Sequence, residues 1–181
     1  MGLRNLFRPN RARGAAGDLY RSLVSQSRSP QFYTSGGVAD TLDGRFDLVA
    51  LHVALVMTRL KSADPPLFDL SQSLFDEMVA NFDVGLREAG VGDMGVGKRM
   101  KKLVQAYFGR AQAYEEAVRL SSDDTLMQVL ERNLFRGQET AELDVVLRSM
   151  TDYVSRQYAH LLAQQDLDLA GGRVDFQPFK G

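Results

Sequence analysis

Between Asp43 and Lys61 the chain carries apolar side chains on almost every face of the helix it would form: Phe46, Leu48, Val49, Leu51, Val53, Leu55, Val56, Met57 and Leu60. A helix of that kind cannot lie on a surface; it belongs at the centre of a bundle, covered on all sides. Its longest nonpolar stretches flank His52 within Leu48 to Met57, about half of the ~20 residues that a membrane-spanning helix needs. Other helices must therefore supply the cover. His52 and Arg59 share one side with Arg45 and give this helix a narrow polar seam. No nucleophile or carboxylate is recognisably paired with His52, so it reads as a structural histidine held by hydrogen bonds rather than as a general base.

Every long segment after residue 17 repeats apolar residues at helical spacing and none alternates as a strand does. This predicts an all-α fold, a single helical bundle with a fully apolar central helix. A short helix is expected over Asp18 to Gln26, stopped by Ser29-Pro30, with the next turn sending Phe32 and Tyr33 inward. After the break at Asp64-Pro65-Pro66, Leu67, Leu70, Leu74, Met78, Phe82 and Leu86 form one arc, with Asp69, Asp76 and Asp83 opposite. Those carboxylates sit on successive turns facing water and read as a solvated face rather than a metal site. A helix from about Val96 to Leu120 buries Met100, Leu103, Val104, Tyr107, Ala111, Tyr114 and Val118. Ser121 to Asp124 start the next one, over Leu126 to Phe135. Thr140 to Gln164 makes the last, with Leu143, Val146, Leu147, Met150, Val154, Gln157, Tyr158 and Leu161 on its inner face and His160 near its end. The expected organisation is a flexible basic arm over 1–17, a helical domain over 18–164 and an irregular tail over 165–181, whose Val174, Phe176 and Phe179 dock on the body.

Composition narrows the function classes. With 181 residues the chain suits one well-buried domain. A formal net charge of -1 argues against wholesale nucleic-acid binding, so an electrostatic partner must meet a local patch. The absence of cysteine excludes disulfides, thiolate metal sites and cysteine nucleophiles. The first 13 residues hold Arg4, Arg8, Arg11 and Arg13 but no continuous apolar core of a secretory signal. Leu6 stands where a myristoylation signal needs Ser or Thr. Solvated leader, transit peptide, and contact with anionic lipid (through Leu3, Leu6 and Phe7) or with RNA all stay open for this arm.

The densest positive patch lies in Gly90 to Lys102, GVGDMGVGKRMKK. Gly92 to Lys98 fits the G-x-x-x-x-G-K spacing of a phosphate-binding loop, but Arg99 replaces the magnesium-holding hydroxyl and helix, not strand, precedes it. The better reading is a glycine turn, with Asp93 near the next helix start, feeding a basic ridge of Lys98, Arg99, Lys101 and Lys102. Ala63 to Gly90 is acidic by contrast, and both stripes point away from their own apolar faces, which favours recognition of something outside.

Three segments, LYRSLVSQSRSPQFY at Leu19 to Tyr33, DTLDGRFDLVAL at Asp40 to Leu51 and GVGDMGVGKRMKK at Gly90 to Lys102, keep an order and spacing that resemble the ubiquinol–cytochrome c chaperone family over roughly Asp18 to Gln164. The resemblance implies an assembly factor for the cytochrome bc1 complex that acts on cytochrome b as a chaperone and not as an enzyme. The partners it implies are cytochrome b or its nascent chain, the ribosome or a small partner protein, and the inner-membrane periphery, with no DNA. It places the chain in a bacterial cytoplasm beside the inner membrane, or in the mitochondrial matrix of a eukaryote. No cofactor is expected, since His52 and most of the methionines that offer haem ligands have core explanations. Lys98, Arg99, Lys101 and Lys102 are the expected contacts to an anionic partner surface. The motif residues Asp40, Asp43, Arg45, Asp47, Gly92, Asp93, Gly95 and Gly97 are expected to be structural, with Asp43 capping the central helix and Arg45 paired to an acid. The competing reading is a helical adaptor that binds RNA or ribosomes without folding a client.

Overall fold

A computed structural model describes residues 8–138 and 141–180, and the described residues form helices and turns without a strand. The helices are α1 (Arg8–Ser27), α2 (Leu42–Lys61), α3 (Phe68–Glu88), α4 (Asp93–Leu120), α5 (Asp123–Leu134), α6 (Leu143–Ala163) and the short α7 (Asp166–Ala170), with one 3-10 turn at Pro30–Phe32. No described helix is long and apolar enough to cross a membrane.

Helix α2 is the hub, touching α1, α3, α4, α5 and α6. From Phe46 to Leu60 every residue except Met57 is buried, as its all-round hydrophobicity requires. It is not, however, fully apolar. Asp47, His52, Thr58 and Arg59 are buried with it, and each is tolerated because its polar atoms find partners. Thr58 Oγ1 donates back to the Ala54 carbonyl at 2.9 Å. Arg59 Nε donates to the Leu161 carbonyl at 2.9 Å and its Nη2 to that of Gln164 at 2.7 Å, holding the end of α6. Its guanidinium also pairs with Asp166, whose carboxyl is held below the usual range by that bond.

The polar seam also anchors the C-terminal segment. His52 Nδ1 donates to the Leu48 carbonyl at 2.7 Å, which leaves Nε2 to accept from the Tyr153 hydroxyl at 2.8 Å. Gln26 donates to the Tyr153 oxygen at 3.1 Å and to the Gln177 carbonyl at 2.8 Å. Gln157 accepts from the Gln177 N–H at 2.8 Å. Phe179 is buried against Phe32 and Tyr153, while Phe176 lies edge-on to His52. The expected docking of Val174, Phe176 and Phe179 is what the structure has. The tail is nonetheless more ordered than "irregular", opening with α7 and then crossing α1 at Gly172. That glycine has φ +83, and a Cβ there would press on the Ala15 backbone at 2.9 Å.

Helix α1 is longer than its periodicity suggests, starting ten residues before Asp18, within the stretch expected to be a flexible arm. Ala15, Ala16, Leu19 and Leu23 are buried, and α1 packs mainly along α3. Leu3, Arg4, Leu6 and Phe7 lie outside the described residues.

Candidate functional site

The DGRFD stretch at Asp43 to Asp47 opens α2, and its parts do different work. Thr41, not Asp43, is the cap: its Oγ1 accepts from the Gly44 N–H at 3.1 Å. Gly44 is buried, and any Cβ there would strike the Ala39 carbonyl oxygen, so the close approach of the incoming chain demands glycine. Arg45 Nε donates to Asp40 at 2.6 Å, as expected of a pairing with an acid, and holds the Asp40 carboxyl below its ordinary range. The same guanidinium stands 5.8 Å over the Tyr33 ring. Asp47 faces inward, is 5% exposed, and accepts from Arg110 of α4 and, at 2.7 Å, from Arg136 beyond α5. Burial pushes its carboxyl up, against the pull of those two guanidiniums. Asp47 thus straps three elements together, while Asp43 is left exposed on the first turn.

The glycine-rich turn joins α3 to α4. Gly90 (φ +80) ends α3, with the Gly90 N–H on the Arg87 carbonyl at 2.9 Å and the Val91 N–H on that of Leu86 at 3.1 Å. Gly92 is the N-cap of α4, and Asp93 begins the helix, paired with Arg87, which also holds Asp83 at 2.7 Å. Gly95 and Val96 already donate to the Gly92 carbonyl at 2.8 and 3.0 Å. Those N–H groups are spent inside the helix, and with helix α3 rather than a strand before it the segment is not a phosphate loop. A Cβ added at Gly95 would meet the Val91 side chain at 2.9 Å, but around Gly92 and Gly97 nothing comes within 4 Å of an added Cβ. Lys98, Arg99, Lys101 and Lys102 are all exposed, with no carboxylate in ion-pair reach among the described residues.

These two motifs, far apart in sequence, meet at one groove of about 430 Å³. Its apolar wall is built by Val24 of α1, Phe46 and Val49 of α2, Phe82 and Leu86 of α3 and Leu103 of α4, and Phe46 and Phe82 stack with ring centroids 3.7 Å apart. Leu42 and Val84 stand at the groove 46% and 52% exposed. Arg28, Arg45 and Arg99 line it together with Asp43 and Glu88. Asp43 and Arg45, expected as structural motif residues, and Arg99, expected on the basic ridge, therefore line one groove. Lys98, Lys101 and Lys102 do not line it, Asp40 reaches it only through Arg45, and Asp47 sits beneath in the core. Sequence reasoning missed Arg28, Leu42 and Val84. The signal available was an apolar side chain off the inward arc, as Val84 is, but nothing local joins it to α1.

The match of this chain to a family model described as ubiquinol-cytochrome C chaperone spans residues 34–176, so it starts just after the Leu19 to Tyr33 segment and runs on through Phe176. A crystal structure titled as the Cbp3 homolog from Brucella abortus superposes with a TM-score of 0.83 at 31% sequence identity, covering 99% of this chain and 98% of that one. No curated protein matches significantly. The matched span takes in the α2 motif, the glycine turn, the basic ridge and the docked tail as far as Phe176, and the chain belongs to the ubiquinol-cytochrome C chaperone family.

Proposed function

We propose that this protein is a non-catalytic assembly chaperone for the cytochrome bc1 complex, and that its client is newly made cytochrome b. The observation that carries the reading is the open apolar groove where α1 to α4 converge, in a chain of this family. A client with exposed apolar helices needs water-excluding surface that stays accessible in the free chaperone, and Leu42 and Val84 offer it over a floor made by the Phe46–Phe82 pair. The ridge of Lys98, Lys101 and Lys102 serves as an electrostatic tether to a ribosomal, lipid or acidic protein surface, keeping the groove near the site of synthesis.

A photo-crosslinking residue at position 42 or 84, in cells making cytochrome b, tests this. The expected product is an adduct containing cytochrome b; labelling at those positions without cytochrome b, while a surface position on α6 traps it, overturns the groove as the client site. The outward lysines also favour a second reading, an adaptor that binds ribosomes or RNA and folds nothing. Under that reading, reversing the three lysines abolishes ribosome co-sedimentation yet leaves the bc1 complex intact.

A further inference from the structure

The groove is lined by arginine, whereas the outward face of the same stretch of α4 carries lysine. Arg28, Arg45 and Arg99 stand at the groove, and Lys98, Lys101 and Lys102 outside it. Guanidinium is planar, weakly hydrated and forked, which suits it to holding a carboxylate beside apolar surface; ammonium is a hydrated point charge. Of the three, Arg45 is already held by Asp40 at 2.6 Å. Arg28 and Arg99, which also line the groove, have no carboxylate in ion-pair distance among the described residues. Asp43 and Glu88 line the same groove. A uniformly anionic lipid surface laid across it would meet these two carboxylates, whereas a polypeptide can match both signs along one helix.

We infer that the groove takes an amphipathic helix of the partner polypeptide, apolar on the stripe that enters against Phe46, Val49, Phe82 and Leu103, and carrying a carboxylate beside that stripe to meet Arg28 or Arg99. The inference rests on the chaperone reading and adds the chemistry of the recognised segment. Apolar burial supplies the affinity, and the two free guanidiniums set the orientation of the helix and select against segments with cations at that place.

The test uses the full chain and two fluorescein-labelled amphipathic helices that share a Leu/Phe stripe and differ only in carrying Glu or Lys beside it. Anisotropy should show the Glu peptide binding the wild type in preference to the Lys peptide. The pair Arg28→Glu and Arg99→Glu should weaken the Glu peptide about tenfold, since it turns an attraction for the peptide carboxylate into a like-charge repulsion. The same pair should recover the Lys peptide, a gain that a merely misfolded variant cannot give. Leu42→Asp with Val84→Asp should remove binding of both peptides. Equal binding of the two peptides, or binding only to phosphatidylglycerol vesicles and not to the Glu peptide, overturns the inference. The arginine variants are also returned to a deletion strain. Full rescue of the bc1 complex by a variant that no longer binds the Glu peptide removes this recognition role and leaves the assembly role standing; normal bc1 in the deletion strain itself removes the assembly role.

Discussion

His52 lies fully buried in the middle of α2, and burial lowers its pKa from an ordinary 6.5 to about 4. Its two ring nitrogens are both committed, Nδ1 donating to Leu48 and Nε2 accepting from Tyr153. A proton added at Nε2 would have to enter without solvent and set two hydrogens against each other on the Tyr153 contact. Because the folded value lies below the unfolded one, the unfolded chain takes up the proton first as pH falls. The stability that the neutral ring contributes is therefore complete above about pH 6.5 and is lost as pH falls towards 4. Integrated over that window, the loss between pH 7.5 and pH 5 is about 2 kcal/mol. Asp40 and Asp166, whose carboxyls are lowered, lose their contributions below roughly pH 4 and do not enter this interval. The assay is urea denaturation of wild type and His52→Gln at both pH values. Only the change between them is read, because glutamine also alters the absolute stability through the Tyr153 contact. The wild type should lose about 2 kcal/mol more than the variant on going to pH 5. An equal loss in both proteins would refute the reasoning and place the acid sensitivity elsewhere.

Three further outcomes follow from the same packing. Asp47→Ala strands Arg110, whose side chain is 12% exposed, and should lower stability by about 3–5 kcal/mol in urea denaturation. Replacing Asp47 and Arg110 together by Leu should recover most of that. Gly44→Ala should destabilise the fold by more than about 2 kcal/mol, read as a lowered urea midpoint, since the new methyl meets the Ala39 carbonyl. Gly97→Ala, in a helix and with open space around it, should instead add about 0.5–1 kcal/mol and raise the melting temperature by a few degrees; a fall would show a contact at this face that the structure does not contain.

What the sequence made legible was whatever periodicity alone determines. The all-helical bundle, the central place of α2, the structural role of His52 and the docked tail aromatics follow from local patterns, whereas the pairing of Arg45 with an acid was expected only through the family motif. Three things escaped for identifiable reasons. Residues 8 to 17 are poor in large apolar side chains, so the start of α1 reads as an arm, yet Ala15 and Ala16 are buried because small residues let neighbouring chain come close, as Gly172 does at Ala15. Asp47 looks like one more motif carboxylate, and only the fold brings Arg110 and Arg136 to it. The groove itself belongs to no segment: Arg28, Leu42, Val84 and Arg99 come from four stretches of chain, and their union is a product of tertiary packing.

The most direct test of the assembly role is the cytochrome bc1 content of membranes from a strain lacking this protein, taken from the haem b difference spectrum. The strain is complemented in parallel with the wild type and with Leu42→Asp plus Val84→Asp, and each protein is checked for accumulation and for an unchanged melting transition. The expected result is loss of bc1 in the deletion strain, recovery with the wild type, and no recovery with Leu42→Asp plus Val84→Asp. A normal bc1 signal in the deletion strain would contradict it.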